Sequence, residues 1–176
     1  KEDSKLAMQK LKSVGIHSIA MLTGDNEKTA LDIAEKIGID NVKYDLLPDQ
    51  KVAAFEELMK MSSPKGKVIF TGDGINDAPV LARADIGIAM GSLGSDAAIE
   101  SADVVIMTDE PSKIAEAIKI AKFTNKVVWQ NIYFSLGIKG LVLILGAFGM
   151  ANMWEAVFAD VGVAVIAVLN ATRISK

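Results

Sequence analysis

Apolar positions recur along the first 110 residues with two alternating periods. Residues 17–22 (HSIAML) form a short strand-like run that ends at Thr23-Gly24-Asp25-Asn26. Ala30, Ile33, Ala34 and Ile37 then fall on one helical face, and Gly38 follows as a C-terminal helix cap should. Beyond a loop at 43–48 (KYDLLP), Pro48 suits a first helical position for a helix carrying Val52, Phe55, Leu58 and Met59. Residues 67–70 (KVIF) read as a second strand that runs straight into TGDGINDAP. A short helix through Leu81, a strand at 85–90 (DIGIAM), a helix at 95–102 (SDAAIESA) and a strand at 103–108 (DVVIMT) complete the series. This alternation predicts an α/β domain built on a doubly wound parallel sheet with right-handed crossovers. Ligands of such sheets gather at the carboxyl ends of strands, where both TGD stretches lie.

From Pro111 the pattern changes. Ile114, Ala117, Ile118 and Ala121 begin a helix that meets no breaker before Val127, so the first domain is expected to enter a membrane on one continuous helix. The apolar run from Val127 to Met150 is long enough to cross a hydrocarbon core of about 30 Å with tilt. ANMWE (151–155) is expected to make a tight turn, with Trp154 as an interfacial anchor, before AVFADVGVAVIAVLNA returns. Gly137, Gly140, Gly146 and Gly149 suggest close helix approach. The expected division is residues 1–122, soluble, and 123–176, a transmembrane α-helical hairpin with a short tail. Lys122 and Lys126 precede the first span and Arg173 and Lys176 follow the second, while the turn carries Glu155 and no basic residue. By the positive-inside rule the soluble part and the C-terminus are expected to be cytoplasmic, and the protein is expected to be integral to the plasma membrane.

Charge sharpens the division. Of 41 charged residues (19 basic, 22 acidic), only Lys139, Glu155, Asp160, Arg173 and Lys176 lie in the last fifty positions. The net charge of -3 and the lack of a basic stripe argue against a nucleic-acid partner. With no cysteine, the chain offers neither disulfides nor thiolate metal ligands of its own. Its start, KEDSKLAMQKLKS, has no apolar signal-peptide core and reads as a chain entered in mid-domain. The single histidine, His17, is expected to be a surface or packing residue.

Two stretches carry chemistry. In TGDGIND (71–77), Asp73 and Asp77 lie four residues apart on a glycine-rich turn leaving a strand. They offer hard oxygen ligands of the kind Mg²⁺ prefers, and the glycines let backbone approach a ligand. Asn76 can bond a phosphate or hold a carboxylate; the plainer reading of the stretch is a solvated turn capping the next helix. In TGDN (23–26), the Thr23 hydroxyl and the N–H groups around Gly24 can cradle a phosphate at a helix N-terminus, while Asp25 or Asn26 caps that helix. Lys51, between the two motifs, supplies a cation able to neutralise phosphoryl charge.

MLTGDN, LLPDQK and TGDGINDAPVLARADIGIAMG, in this order and spacing, resemble the C-terminal half of the phosphorylation domain of P-type ATPases, members of the haloacid dehalogenase superfamily. The resemblance implies a partial haloacid dehalogenase-type sheet in which Thr23 and Gly24 bind the phosphoryl group and Lys51 contacts the phosphorylated side chain. It further implies that Asp73 ligates Mg²⁺ directly, that Asn76 and Asp77 complete the metal and phosphate shell, and that Asp25 belongs to the same catalytic set. The family's nucleophilic aspartate, in an Asp-Lys-Thr-Gly-Thr motif, has no counterpart here. The ATP-binding domain, the actuator domain and the earlier membrane helices are therefore expected on an N-terminal remainder of the same pump. The chain alone is expected not to autophosphorylate.

Inside the hairpin, Lys139 and Asp160 are opposite charges in apolar runs. With the turn centred near Asn152 they differ in depth by five residues, about 7 Å at helical rise, which a lysine stem can largely cover. They read either as a structural ion pair or as a transport site in which Asp160 ligates a cation and Lys139 is its built-in counterion. NIYFSLGIKG, WEAVFADVGV and LNATR resemble the last two membrane helices of the zinc, cadmium and lead exporting heavy-metal P-type ATPases. That resemblance implies transported Zn²⁺, Cd²⁺ and Pb²⁺. The alternatives are a copper-type pump, a free-standing phosphatase and a non-catalytic accessory membrane protein derived from a pump.

Overall fold

A computed structural model describes residues 3–64, 66–72, 75–91, 99–150 and 152–175, which divide into two compact units at Glu116/Ala117. The first opens with α1 (Asp3–Ser13), β1 (Ala20–Leu22), α2 (Glu27–Ile37), β2 (Asn41–Lys43) and α3 (Pro48–Met61). It continues with β3 (Ile69–Gly72), a 3-10 turn (Ile75–Asp77), α4 (Ala78–Leu81), β4 (Ile86–Met90) and β5 (Val104–Ile106). Every pairing among the described residues is parallel, as the alternation predicts. The strands form two hydrogen-bonded groups, β1-β2 and β3-β4-β5. Of the helix expected at 95–102, residues 95–98 lie outside the described residues, and Ile99 and Glu100 are helical.

Local chemistry accounts for the element ends. Asn26 accepts from the Thr29 N–H at 3.0 Å and starts α2; Gly38, at φ 80°, ends it with an N–H bond to Ala34 O. Pro48 occupies the first turn of α3, and Gln50 Oε1 accepts the Leu47 N–H at 2.9 Å. Leu81 and Ala89 pack with Phe70, Ala102 and Val105, and Val80 and Ile88 are also buried. Truncating a side chain as enclosed as Leu81 costs about 2–5 kcal/mol. Phe55 of α3 meets Phe70 of β3 edge to face, with centroids 5.4 Å apart, so α3 contacts β1 and reaches across to the second sheet.

α5 (Ser112–Ala147) is a single uninterrupted helix that belongs to both units. The Asp3 carboxylate accepts its Ser112 N–H at 2.8 Å, supplying an N-terminal partner from the far end of the first unit's sequence. In the second unit the chain turns after Ala147, with Gly149 at φ 70°, and re-enters helix as α6 (Met153–Val157). A π-helical turn (Phe158–Gly162), α7 (Val163–Ala171) and a 3-10 turn (Thr172–Ser175) follow. α5 and the run Met153–Ile174 are each long and apolar enough to cross a membrane.

The turn differs from expectation. Trp154 and Glu155 lie in the first turn of α6, because Asn152 accepts the Trp154 N–H at 2.8 Å while Glu155 reaches back to the Asn152 N–H. The break between Ala147 and Met153 centres the hairpin at residue 150, not 152. Lys139 is then 11 residues before the centre and Asp160 10 after, about 1.5 Å apart in depth instead of 7 Å. The two helices are also joined by Asn131 and Asn170. Asn131 donates to Ala167 O at 3.0 Å and accepts from Asn170 at 2.9 Å; Arg173 donates to Asn170 and lies over the Phe123 ring. Among the described residues Gly137 and Gly140 serve no close approach, since a Cβ at either would meet nothing within 4 Å.

Candidate functional site

Lys51 and Phe55 share one face of α3, one turn apart. Phe55, 2% exposed, anchors that face on Phe70, and this directs Lys51 towards the turn that follows β3. There the Lys51 ammonium donates to Asp77 Oδ1 at 3.0 Å, with side chains only 18% and 13% exposed. Asp77 stands at the N-terminal boundary of α4 without capping it through its side chain. Its carboxylate is committed to the lysine, against the plainer reading of the stretch as a helix cap.

Gly72 explains how Asp77 comes so close to the end of β3. A Cβ on Gly72 would lie 2.6 Å from Asp77 Cβ and 2.8 Å from its Oδ2, closer than real atoms approach. The glycine serves close packing against Asp77. Asn76, in the 3-10 turn, is exposed; Asp73, expected as the direct Mg²⁺ ligand, lies outside the described residues.

At the end of β1, Thr23 and Asp25 engage each other. The Asp25 N–H donates to Thr23 Oγ1 at 3.1 Å, and the Thr23 hydroxyl donates to Asp25 Oδ2 at 3.0 Å. Asn26 alone caps α2, so Asp25 is left to hold Thr23. A hydroxyl has one proton to give, so Thr23 can donate to a phosphate only by leaving Asp25. The loop is bound to the segment after β2: Thr23 N–H to Lys43 O at 3.0 Å, Asp45 N–H to Asp25 O at 2.9 Å, and Leu46 N–H to Thr23 O at 3.1 Å. Sequence reasoning missed this second segment, although an aspartate between a strand and a proline-led helix is itself a turn signal.

Two peripheral carboxylates show how the surface holds these loops. Asp85 accepts the Val68 N–H and pairs with Lys67, which together pull its carboxyl below the ordinary 3.8. Lys43 likewise holds the Glu57 carboxyl below its ordinary range by donating to it. In the second unit, Lys139 donates to Asp160 Oδ1 at 2.9 Å, with side chains 50% and 73% exposed. Asp160 is centred in the π-helical turn, an irregularity that often marks function. Among the described residues no three His, Cys, Asp or Glu side chains cluster to hold a metal.

The first unit is a parallel α/β domain with a lysine–aspartate pair beyond β3, and two helices of membrane length follow it. Residues 1–85 match the haloacid dehalogenase-like hydrolase family. The whole chain is 60% identical to a cadmium, zinc and cobalt-transporting ATPase of Bacillus subtilis and 58% identical to a zinc-transporting ATPase of Synechocystis. It spans about a quarter of their lengths, 25% and 24%. A crystal structure of a zinc-transporting PIB-type ATPase in the E2.Pi state matches all of the chain and 28% of its own, with TM-score 0.90 at 36% identity. Along its whole length the chain is similar to these P-type ATPases.

Proposed function

We propose that the chain supplies the phosphoryl-handling edge and two membrane helices of an ATP-driven pump that exports Zn²⁺ and Cd²⁺, extending to Pb²⁺. The observation that carries the reading is the Lys139–Asp160 pair at 2.9 Å, joining two helices of membrane length in a chain that also holds Lys51 against Asp77 beyond a parallel strand. Intramembrane carboxylates and ammonium groups are costly, and they mark ion paths by default.

In the first unit, Lys51 faces the carboxyl end of β3, where it can move its charge from Asp77 to a phosphoryl oxygen as negative charge develops. The Thr23 hydroxyl exchanges Asp25 for the same phosphoryl group, and the loop around Gly24 closes on it. Asp77 and Asp73 would hold Mg²⁺, with Asn76 beside them. One or two carboxylates suit an ion that keeps waters and phosphate oxygens as its other ligands. Bound there, Mg²⁺ would neutralise phosphoryl charge. ATP and the phosphorylated aspartate come from the remainder of the pump.

In the second unit, Asp160 takes the transported cation and Lys139 returns to the carboxylate as the ion leaves, so that one pair serves as ligand and counterion in turn. The bilayer is the plasma membrane, with the first unit and the C-terminus cytoplasmic. The test is zinc-dependent formation of an acid-stable, hydroxylamine-sensitive phosphoenzyme by the full-length protein with ATP and Mg²⁺. Phosphorylation that ignores zinc and cadmium would refute the pump reading.

A further inference from the structure

Asp45 is the one non-glycine residue with positive φ, 53°, among the described residues. Its side chain is exposed, so burial does not impose this backbone. What the backbone does is local and directed. β1 and β2 pair in parallel up to Leu22 and Lys43, and the Thr23 N–H extends that ladder to Lys43 O. The left-handed step at Asp45 then turns two successive N–H groups, its own and that of Leu46, back onto Asp25 O and Thr23 O. Thr23 is thereby held through both its backbone N–H and its carbonyl. Gly24 between them is pressed against the same segment, since a Cβ there would stand 3.2 Å from Leu46 O.

Aspartate and asparagine are the residues besides glycine that enter the left-handed region with least cost, whereas β-branched residues are outliers there. Strained backbone of this kind gathers at functional loops, held by the contacts around it. We infer that Asp45 is a positioning residue whose left-handed backbone, not its carboxylate, fixes the Thr23-Gly24-Asp25 loop in the geometry that receives a phosphoryl group. The inference rests on the phosphoryl-handling role proposed for that loop, and it adds to it a residue that touches no phosphate.

The experiment is a titration of phosphoenzyme formation from inorganic phosphate and Mg²⁺ in the full-length ATPase, read as apparent phosphate affinity and as the maximal level reached. The variants are Asp45→Gly, Asp45→Asn, Asp45→Ala and Asp45→Val. Glycine and asparagine are expected to hold the affinity within about twofold of the parent, alanine to weaken it roughly threefold and valine roughly tenfold, with the maximal level at saturating phosphate retained. Should the valine protein fail to fold, the alanine and glycine pair still decides. A glycine variant as weak as valine or alanine would place the effect in the carboxylate and overturn the inference. Parent-like affinity in both alanine and valine would also overturn it, as would a reduced maximal level at unchanged affinity. A parent protein that takes no phosphate overturns both this inference and the reading beneath it; the other outcomes overturn the inference alone.

Discussion

Removing the Lys51 ammonium, as in Lys51→Met, strands the Asp77 carboxylate in a place where its side chain is only 13% exposed. At 3.0 Å and an effective dielectric of about 20, the direct attraction is 332/(20 × 3.0), or about 5.5 kcal/mol. Taking two charges largely out of water offsets much of this, leaving an expected coupling of about 1.5–3 kcal/mol between the two side chains. The assay is hydrogen exchange of the β3 amides, Ile69–Gly72, which are laddered to β4 and lie directly before the pair. Both tryptophans, Trp129 and Trp154, are in the second unit, so fluorescence would not report on this site. Lys51→Met should speed β3 exchange roughly 10- to 150-fold, as each 1.4 kcal/mol is a factor of ten. Asp77→Asn in the same background should recover much of that loss, because the stranded charge is gone. Exchange in Lys51→Met within about twofold of the parent would refute the claim that the pair holds the end of β3.

Gly72→Ala should destabilise the same strand by about 1–3 kcal/mol and displace Asp77 from Lys51, since no room exists for the added methyl; parent-like β3 exchange in this variant would contradict that. Asp85 has its carboxyl held below the ordinary 3.8 by the Val68 N–H and Lys67, so its stabilising effect is present above that value and is lost as pH falls through the lower folded-state pKa. Asp85→Asn should therefore unfold at a lower temperature than the parent at neutral pH, and the two melting curves should converge under strong acid. A gap that stays constant from neutral pH to strong acid would count against this.

The sequence showed α2 and α3 clearly because each combines a helical apolar face with a local punctuator, Gly38 for one and Pro48 for the other. The unbroken α5 was legible for the converse reason, a long run without any breaker. β2 was not, since Asn41–Lys43 is short, carries polar residues at both ends and owes its strand form to pairing with β1. The helix α1 went unread because only Ala7 and Leu11 give it a buried face. β3 starts and ends two residues later than its apolar run suggests, because pairing to β4 carries through Gly72. The hairpin centre was misplaced although the capping box Asn152 to Glu155 is readable in the sequence, which shows that the helix restarts before Trp154. In the site, the residue types were legible but the Lys51–Asp77 partnership was not. Twenty-six positions separate the two, and their meeting depends on Phe55 packing against Phe70.

The most direct test of the account is zinc uptake into inside-out vesicles by the full-length pump carrying Asp160→Ala, measured together with zinc-stimulated ATP hydrolysis. If Asp160 takes the transported ion, both are lost while phosphorylation from inorganic phosphate persists, because the first unit is untouched. Uptake and zinc stimulation equal to those of the parent would contradict the central claim.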